Sequence, residues 1–225
     1  MVTAVQTRHY EEPSFDRSEI LRYAACRQEP SSEMNDILEG CLSEMKGKLS
    51  CQVCFCEFPI WHDGEELDLS FMRTFSADLA RKLQGSEKIV VFGATVGLGI
   101  DHLIARYGHI SPAKALFFQA IGAERIESVC NLFCADIQRE YAACGYQAGP
   151  RFSPGYGDFP LSAQRDIFRV LDCPRKIGLS LNSSLLMSPS KSVTAIIGLS
   201  RERICGDRRR CGDCGQENCE FRSKK

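Results

Sequence analysis

The sequence predicts a mixed α and β domain followed by a chemically distinct tail, and three observations carry the prediction. Short runs rich in β-branched and aromatic residues, Cys51 to Phe58, Lys88 to Phe92 and Val193 to Leu199, read as strands. One long stretch, Ser111 to Cys144, reads as a single helix punctuated at both ends. From residue 201 to 225 aliphatic side chains nearly vanish and four cysteines gather among arginines. With 225 residues, 44% of them hydrophobic, the chain has the material for one large domain or two small ones with a real core.

The elements follow in order. A strand is expected at Thr3 to Thr7 and a short helix near Ser18 to Ala25. A longer amphipathic helix, Ser32 to Lys48, places Met34, Ile37, Leu38, Cys41, Leu42 and Met45 on one stripe. After the strand Cys51 to Phe58 come a strand at Glu66 to Leu69, a helix at Ser76 to Leu83 and the strand Lys88 to Phe92. A glycine loop then leads into a helix at Asp101 to Tyr107. The long helix has Ser111 as N-cap, Pro112 at its first position and Gly145 just past its end. Ile126, Cys130, Phe133, Ile137, Tyr141 and Cys144 recur along it in steps of three or four, the spacing of a buried face. A helix near Ala163 to Leu171 and strands at Ile177 to Leu181 and Val193 to Leu199 complete the domain.

Charge and composition exclude several functions. Twenty-eight basic against 29 acidic residues leave a net charge of −1, without the broad basic field of a general nucleic-acid binder. The longest run free of charged or strongly polar groups, Ile89 to Ile100, falls well short of the ~20 residues a membrane span needs. Arg8, His9, Glu11 and Glu12 interrupt any secretory leader, so a cytoplasmic location is expected. Thiols or metal ligands then suit the 13 cysteines better than disulfides. Cys26, Cys41, Cys130, Cys134, Cys144 and Cys173 are expected to pack as small hydrophobes. Strand alternation puts Cys54 and Cys56 on one face and Cys51 on the other, which argues against a shared metal. The four histidines have no ligand spacing and are expected in solvated or capping roles.

Three places could carry chemistry. The glycine loop, Phe92-Gly-Ala-Thr-Val-Gly-Leu-Gly-Ile100, resembles the nucleotide loop of short-chain dehydrogenases, in which a glycine turn opens a helix toward a pyrophosphate. None of the six tyrosines has the lysine four residues on that such enzymes use, so an NAD(P)-dependent oxidoreductase using residues 93–99 ranks third among the readings. The second place is Arg151-Phe-Ser-Pro-Gly-Tyr-Gly-Asp-Phe-Pro160, where Pro154 fixes one backbone angle and Gly155 and Gly157 permit close approach of a ligand. Arg151 offers a planar fork suited to a carboxylate and Tyr156 an aromatic face with a hydroxyl; an ordinary Pro-Gly turn with a solvated arginine is the bland alternative.

This second stretch continues through a helix to Ile177-Gly-Leu-Ser-Leu-Asn-Ser-Ser-Leu-Leu-Met187 and Ser190-Lys-Ser-Val193. In that order the pieces resemble the activation domain of vitamin B12-dependent methionine synthase, whose members carry an Arg-x-x-Pro-Gly-Tyr loop. A proline, a helix, an Ile/Thr-Gly-x-x-Leu-Thr/Asn-x-Ser stretch, a Met before a proline and a strand opening on Ser-Val follow that loop in the family. The resemblance is strongest over residues 88–199, and it assigns residues 1–200 to one domain and 201–225 to a Cys-rich tail. It implies an α+β fold with a curved, mostly antiparallel sheet and one long helix at about 111–144. The homocysteine, folate and cobalamin modules of the full enzyme are absent, so a free-standing activation subunit is implied, a component of a methyltransferase rather than a complete enzyme.

The resemblance further implies that Arg151, Ser153, Pro154 and Gly155 bind S-adenosylmethionine, and that an acidic residue of the long helix, Glu127 or its neighbour Ser128, joins them. Tyr156 takes the catalytic position facing the corrin. Ser153 stands where the best-known members have alanine, the family's N-terminal aspartate has no clear match, and the cysteine tail replaces its late tyrosine. The implied partners are a cobalamin-carrying methionine synthase subunit and an electron donor. No Ser-His-Asp or Cys-His arrangement is needed, because such chemistry is positioning of a methyl donor against a metal nucleophile. A non-catalytic corrinoid-protein partner or metal-sensing adaptor with the same fold is the alternative.

The third place is the tail itself. Cys205, Cys211, Cys214 and Cys219 could close a zinc site or hold an iron-sulfur cluster, with nearby arginines lowering the thiol pKa values. A reduced tail without metal is the competing reading.

Overall fold

Capping chemistry sets where the helices begin. In the computed structural model, which describes residues 4–26, 28–63 and 66–201, the side chains of Asp16, Ser31, Ser76 and Ser111 accept hydrogen bonds from first-turn amides. The chain runs β1 (Gln6–Tyr10), α1 (Arg17–Tyr23), α2 (Ser32–Met45), β2 (Cys51–Pro59), β3 (Trp61–Asp63), β4 (Glu66–Asp68) and β5 (Arg73–Thr74). It continues through α3 (Ala77–Lys82), β6 (Lys88–Thr95), α4 (Gly99–Tyr107), α5 (Pro112–Ala142) and β7 (Gln147–Ala148). A 3₁₀ turn at Leu161–Ala163 precedes α6 (Gln164–Leu171), α7 (Cys173–Ile177), β8 (Ser180–Leu181), β9 (Met187–Ser188) and β10 (Ser192–Ser200).

Five strands form one antiparallel sheet in the order β1-β2-β6-β10-β7. Its three central strands are apolar nearly throughout because both faces are covered. Cys51, Val53 and Phe55 of β2, Val90, Phe92 and Ala94 of β6, and Ala195, Ile197 and Leu199 of β10 pack against α1, α2, α4 and α5. The alternate residues, Cys54, Cys56, Phe58, Ile89, Val91 and Ile196, pack against α3, α6, α7 and the small sheet β3-β4-β5. The opposite facing of Cys51 and the Cys54, Cys56 pair is therefore as expected, and each is a buried free thiol. Burial raises Cys51 to about 11.

Helix α5, 31 residues and about 46 Å long, is the spine of the first layer. Phe133 meets Phe55 and Phe92 at ring-centroid distances of 5.1 and 4.7 Å, joining the helix to the sheet. Near its middle, Glu124 and Arg125 form a buried ion pair. Arg125 Nη2 donates to Ser14 O at 2.9 Å, Nη1 reaches Pro13 O, and the guanidinium lies 4.3 Å over the Phe15 ring. Glu124 accepts from Ser128 Oγ at 2.6 Å and from the Asp16 amide at 3.4 Å. The pair thus pins the segment between β1 and α1 to the helix.

Several boundaries differ from expectation for identifiable reasons. The first strand is Gln6–Tyr10 rather than Thr3 to Thr7, because its partner register sets it: Gln6 lies opposite Phe55 and Tyr10 opposite Cys51. Ile177 does not open a strand. It closes α7, which has Pro174 in its first turn and ends at Gly178 with φ +65°, leaving only Ser180–Leu181 extended. The long helix stops at Ala142, so Cys144 is exposed instead of packed, and Tyr141 is half-buried. Cys26 and Cys134 are likewise only partly buried.

The glycine loop has a packing explanation. Gly93 lies inside β6, a Cβ at Gly99 would stand 2.0 Å from Lys48 O, and Gly97, at φ +81°, abuts Ser50. Backbone from residues 48–50 fills the place a pyrophosphate would need, and the five-stranded sheet is antiparallel rather than built of parallel βαβ units.

Candidate functional site

The site begins where a sheet edge comes undone. Leaving α5, the chain pairs β7 with the end of β10, and the Gly149 amide donates to Gly198 O at 2.8 Å. Phe152 and Ile196 then exchange two hydrogen bonds of 2.9 Å each. Beyond that bridge residues 153–160 leave the edge. Antiparallel alternation turns the backbone N–H and C=O of Thr194, two residues from Ile196, toward this released edge.

The departing loop is held by its own turn chemistry and by α3. The Gly155 amide, at φ +92°, donates to Phe159 O at 2.8 Å, and the Phe159 amide donates to Tyr156 O at 3.0 Å. Phe159 is buried and its ring lies 6.3 Å from that of Phe152. The Asp158 carboxylate accepts from Ser76 Oγ and from the amides of Ala77 at 2.7 Å and Asp78 at 3.1 Å, and the Ser76 bond above all lowers its pKa. Gly157 takes φ +54°, and a Cβ there would stand 2.0 Å from Asp78 Oδ2, so a larger residue would have to displace the Asp78 side chain.

Between the loop, the open edge of β10 and α5 lies a cavity of about 400 Å³. Glu127, Arg151, Ser153, Pro154 and Tyr156 line it together with Phe152, Gln164, Met187 and residues 192–194. Gly155 shapes the turn without lining the cavity, and Ser128 turns away to Glu124. Arg151 is ion-paired to Glu127, and its Nη1 donates to Asn131 Oδ1 at 2.8 Å and approaches Cys134 Sγ at 3.9 Å. Burial works against the guanidinium's charge, but its neighbours, the Glu127 carboxylate among them, outweigh it and hold the pKa above the ordinary arginine value. Burial drives the Cys130 and Cys134 thiols up, so both stay protonated at neutral pH. Tyr156 stands at the mouth, 66% exposed.

Gln164 and Thr194 had no motif to mark them, whereas Met187 is the methionine before a proline in the resembling stretch. Gln164 begins α6 and Thr194 sits in β10; only the tertiary arrangement carries their side chains to the cavity. Cys205, Cys211, Cys214 and Cys219 lie outside the described residues. Among the described residues no three His, Cys, Asp or Glu side chains are grouped to hold a metal, and all four histidines are exposed. No helix among them is long and apolar enough to cross a membrane.

No family model and no curated protein matches the chain in sequence. Solved structures do match. One is a crystal structure of the MetH reactivation domain bound to AdoHcy, with a TM-score of 0.60 and 14% identity over 87% of this chain and 78% of that one. The chain therefore has the α+β fold of the MetH reactivation domain, with its curved antiparallel sheet and long helix.

Proposed function

We propose that the cavity binds S-adenosylmethionine and that the chain acts as an activation unit for cobalamin-dependent methionine synthase, presenting the methyl donor for remethylation of the partner's cofactor. One observation carries this reading: five of the six residues that the sequence resemblance nominates converge on a single cavity, in a chain with the fold of a domain bound to AdoHcy. The volume lies in the range of small-molecule sites.

The residues present fit such a ligand. Its amino-acid end is a zwitterion, which matches the Arg151 and Glu127 pair head to tail: the guanidinium fork takes the carboxylate and Glu127 the ammonium. The chain supplies binding, orientation and exclusion of water, while the partner's cobalamin supplies the nucleophile. Tyr156, exposed beside the cavity, is the group placed to meet the partner's corrin.

Calorimetric titration with S-adenosylmethionine and S-adenosylhomocysteine tests the binding. A reactivation assay with a methionine synthase lacking its own activation domain tests the function. Saturable binding of both ligands, no thermal shift with NADH and restored turnover are expected; no binding of either sulfur ligand by the folded protein defeats the reading.

A further inference from the structure

Arg151 is the one cation among the residues lining the cavity, and part of what holds its guanidinium lies outside that lining. Glu127, Asn131 and Cys134 follow one another along α5 at steps of four and three residues, which sets them on one face of the helix. All three reach the same side chain. Glu127 pairs with Nη2, Asn131 Oδ1 accepts from Nη1 at 2.8 Å, and Cys134 Sγ lies 3.9 Å from Nη1. Glu127 borders the cavity, whereas Asn131 and Cys134 do not. Anchors on two different nitrogens fix the plane of a guanidinium, while a single anchor leaves it free to turn. Among the described residues the Arg151 Nε–H has no acceptor, so the fork is held and still has a donor to give.

The two anchors differ in charge. A carboxamide oxygen accepts a hydrogen bond and leaves the positive charge of its donor uncompensated, whereas a carboxylate accepts the bond and cancels the charge. Glu127 already compensates Arg151 on one side. A second acid at Nη1 would spend the cation within the protein and repel any carboxylate that approached it. Resting on the reading of this cavity as an S-adenosylmethionine site, we infer that Asn131 is a positioning residue: its neutral hydrogen bond orients the Arg151 fork and keeps the cation available for the ligand's carboxylate. Asn131 thus acts on the ligand through Arg151, from outside the cavity.

Two variants separate this role from a plain tether between loop and helix. A tether needs only an acceptor oxygen, so Asn131→Asp would serve at least as well as the parent and Asn131→Ala would be the worse of the two. A neutral positioning group predicts the reverse order. Asn131→Ala is expected to weaken S-adenosylhomocysteine binding about threefold by releasing one end of the fork, and Asn131→Asp by about tenfold, because it keeps the bond and removes the charge. Asn131 is exposed, so both variants are expected to fold and to melt close to the parent temperature without ligand. Decarboxylated S-adenosylhomocysteine, which keeps the ammonium, gives a second readout: the parent is expected to prefer the complete ligand, and Asn131→Asp to narrow that preference. Should the parent bind S-adenosylhomocysteine and both variants bind it equally well, the inference falls while the site assignment stands. Asn131→Asp binding as tightly as the parent, an unchanged preference between the two ligands, or a joint loss of melting temperature and affinity also overturns it. If the parent itself binds no S-adenosylhomocysteine, the site reading fails and this inference fails with it.

Discussion

Arg125 and Arg151 each meet a glutamate of the same helix, Glu124 and Glu127, one turn apart, and the two pairs differ in everything except their chemistry. The first is sealed: its side chains are 0% and 3% exposed, and the carbonyls of Pro13 and Ser14, the Asp16 amide and the Ser128 hydroxyl complete its hydrogen bonding. The second is open, 24% and 41% exposed, and borders a cavity. A buried charge pair whose nitrogens and oxygens all have protein partners has little to offer a ligand and holds structure. A pair with solvent on one side can exchange partners. The difference teaches that residue type and helix position do not distinguish a fastening from a binding group; saturation of hydrogen-bonding capacity does.

The comparison is most severely tested at the sealed pair. Arg125→Ala strands Glu124 in the core and leaves the Pro13 and Ser14 carbonyls without their donor, for an expected loss of about 3–5 kcal/mol in urea unfolding. A loss below about 1 kcal/mol would erase the distinction. Next comes Arg151→Ala, expected to keep the fold and weaken S-adenosylmethionine binding by about 1.5–3 kcal/mol in calorimetry; unchanged affinity in a folded variant refutes its role. Glu127→Gln keeps the shape and removes one charge, with an expected loss of about 1 kcal/mol in the same titration and a smaller effect at higher salt.

Two changes are expected to do least. Tyr156→Phe is expected to leave affinity within about 0.5 kcal/mol while altering the remethylation rate with the partner present, a split that equilibrium and kinetic assays resolve. Truncation after Ser200 is expected to preserve both fold and ligand binding, because residues 201–225 carry too few aliphatic side chains to belong to the main core. Metal analysis of the full chain against the truncated one then reports directly on Cys205, Cys211, Cys214 and Cys219.

What was legible in the sequence follows from how local each cause is. The caps Ser111 and Pro112 and the parity of Cys51, Cys54 and Cys56 are local, and the structure places them as read. The turn chemistry of the Arg151 loop is local too and the structure shows the turn, whereas its nomination as a ligand loop rests on the family resemblance and not on these residues alone. Misreadings arose where a local preference met a longer-range one: Ile177 has the β-branched look of a strand, yet Pro174 and Gly178 bracket it as the last turn of a helix. Gln164 and Thr194 were illegible for a different reason. Their distinction is the lack of a hydrogen-bond partner among the described residues, a property that exists only once the surrounding elements have taken their places.

The released edge of β10 has a consequence for the tolerance of substitution. One wall of the cavity is main chain, whose amides and carbonyls are the same whatever side chains are attached to them. Substitution along such a wall changes the lining without erasing the contacts, so a lineage can wander far in sequence while the recess persists. A change at Ser153 leaves those main-chain groups in place, whereas a side chain at Gly157 would displace Asp78.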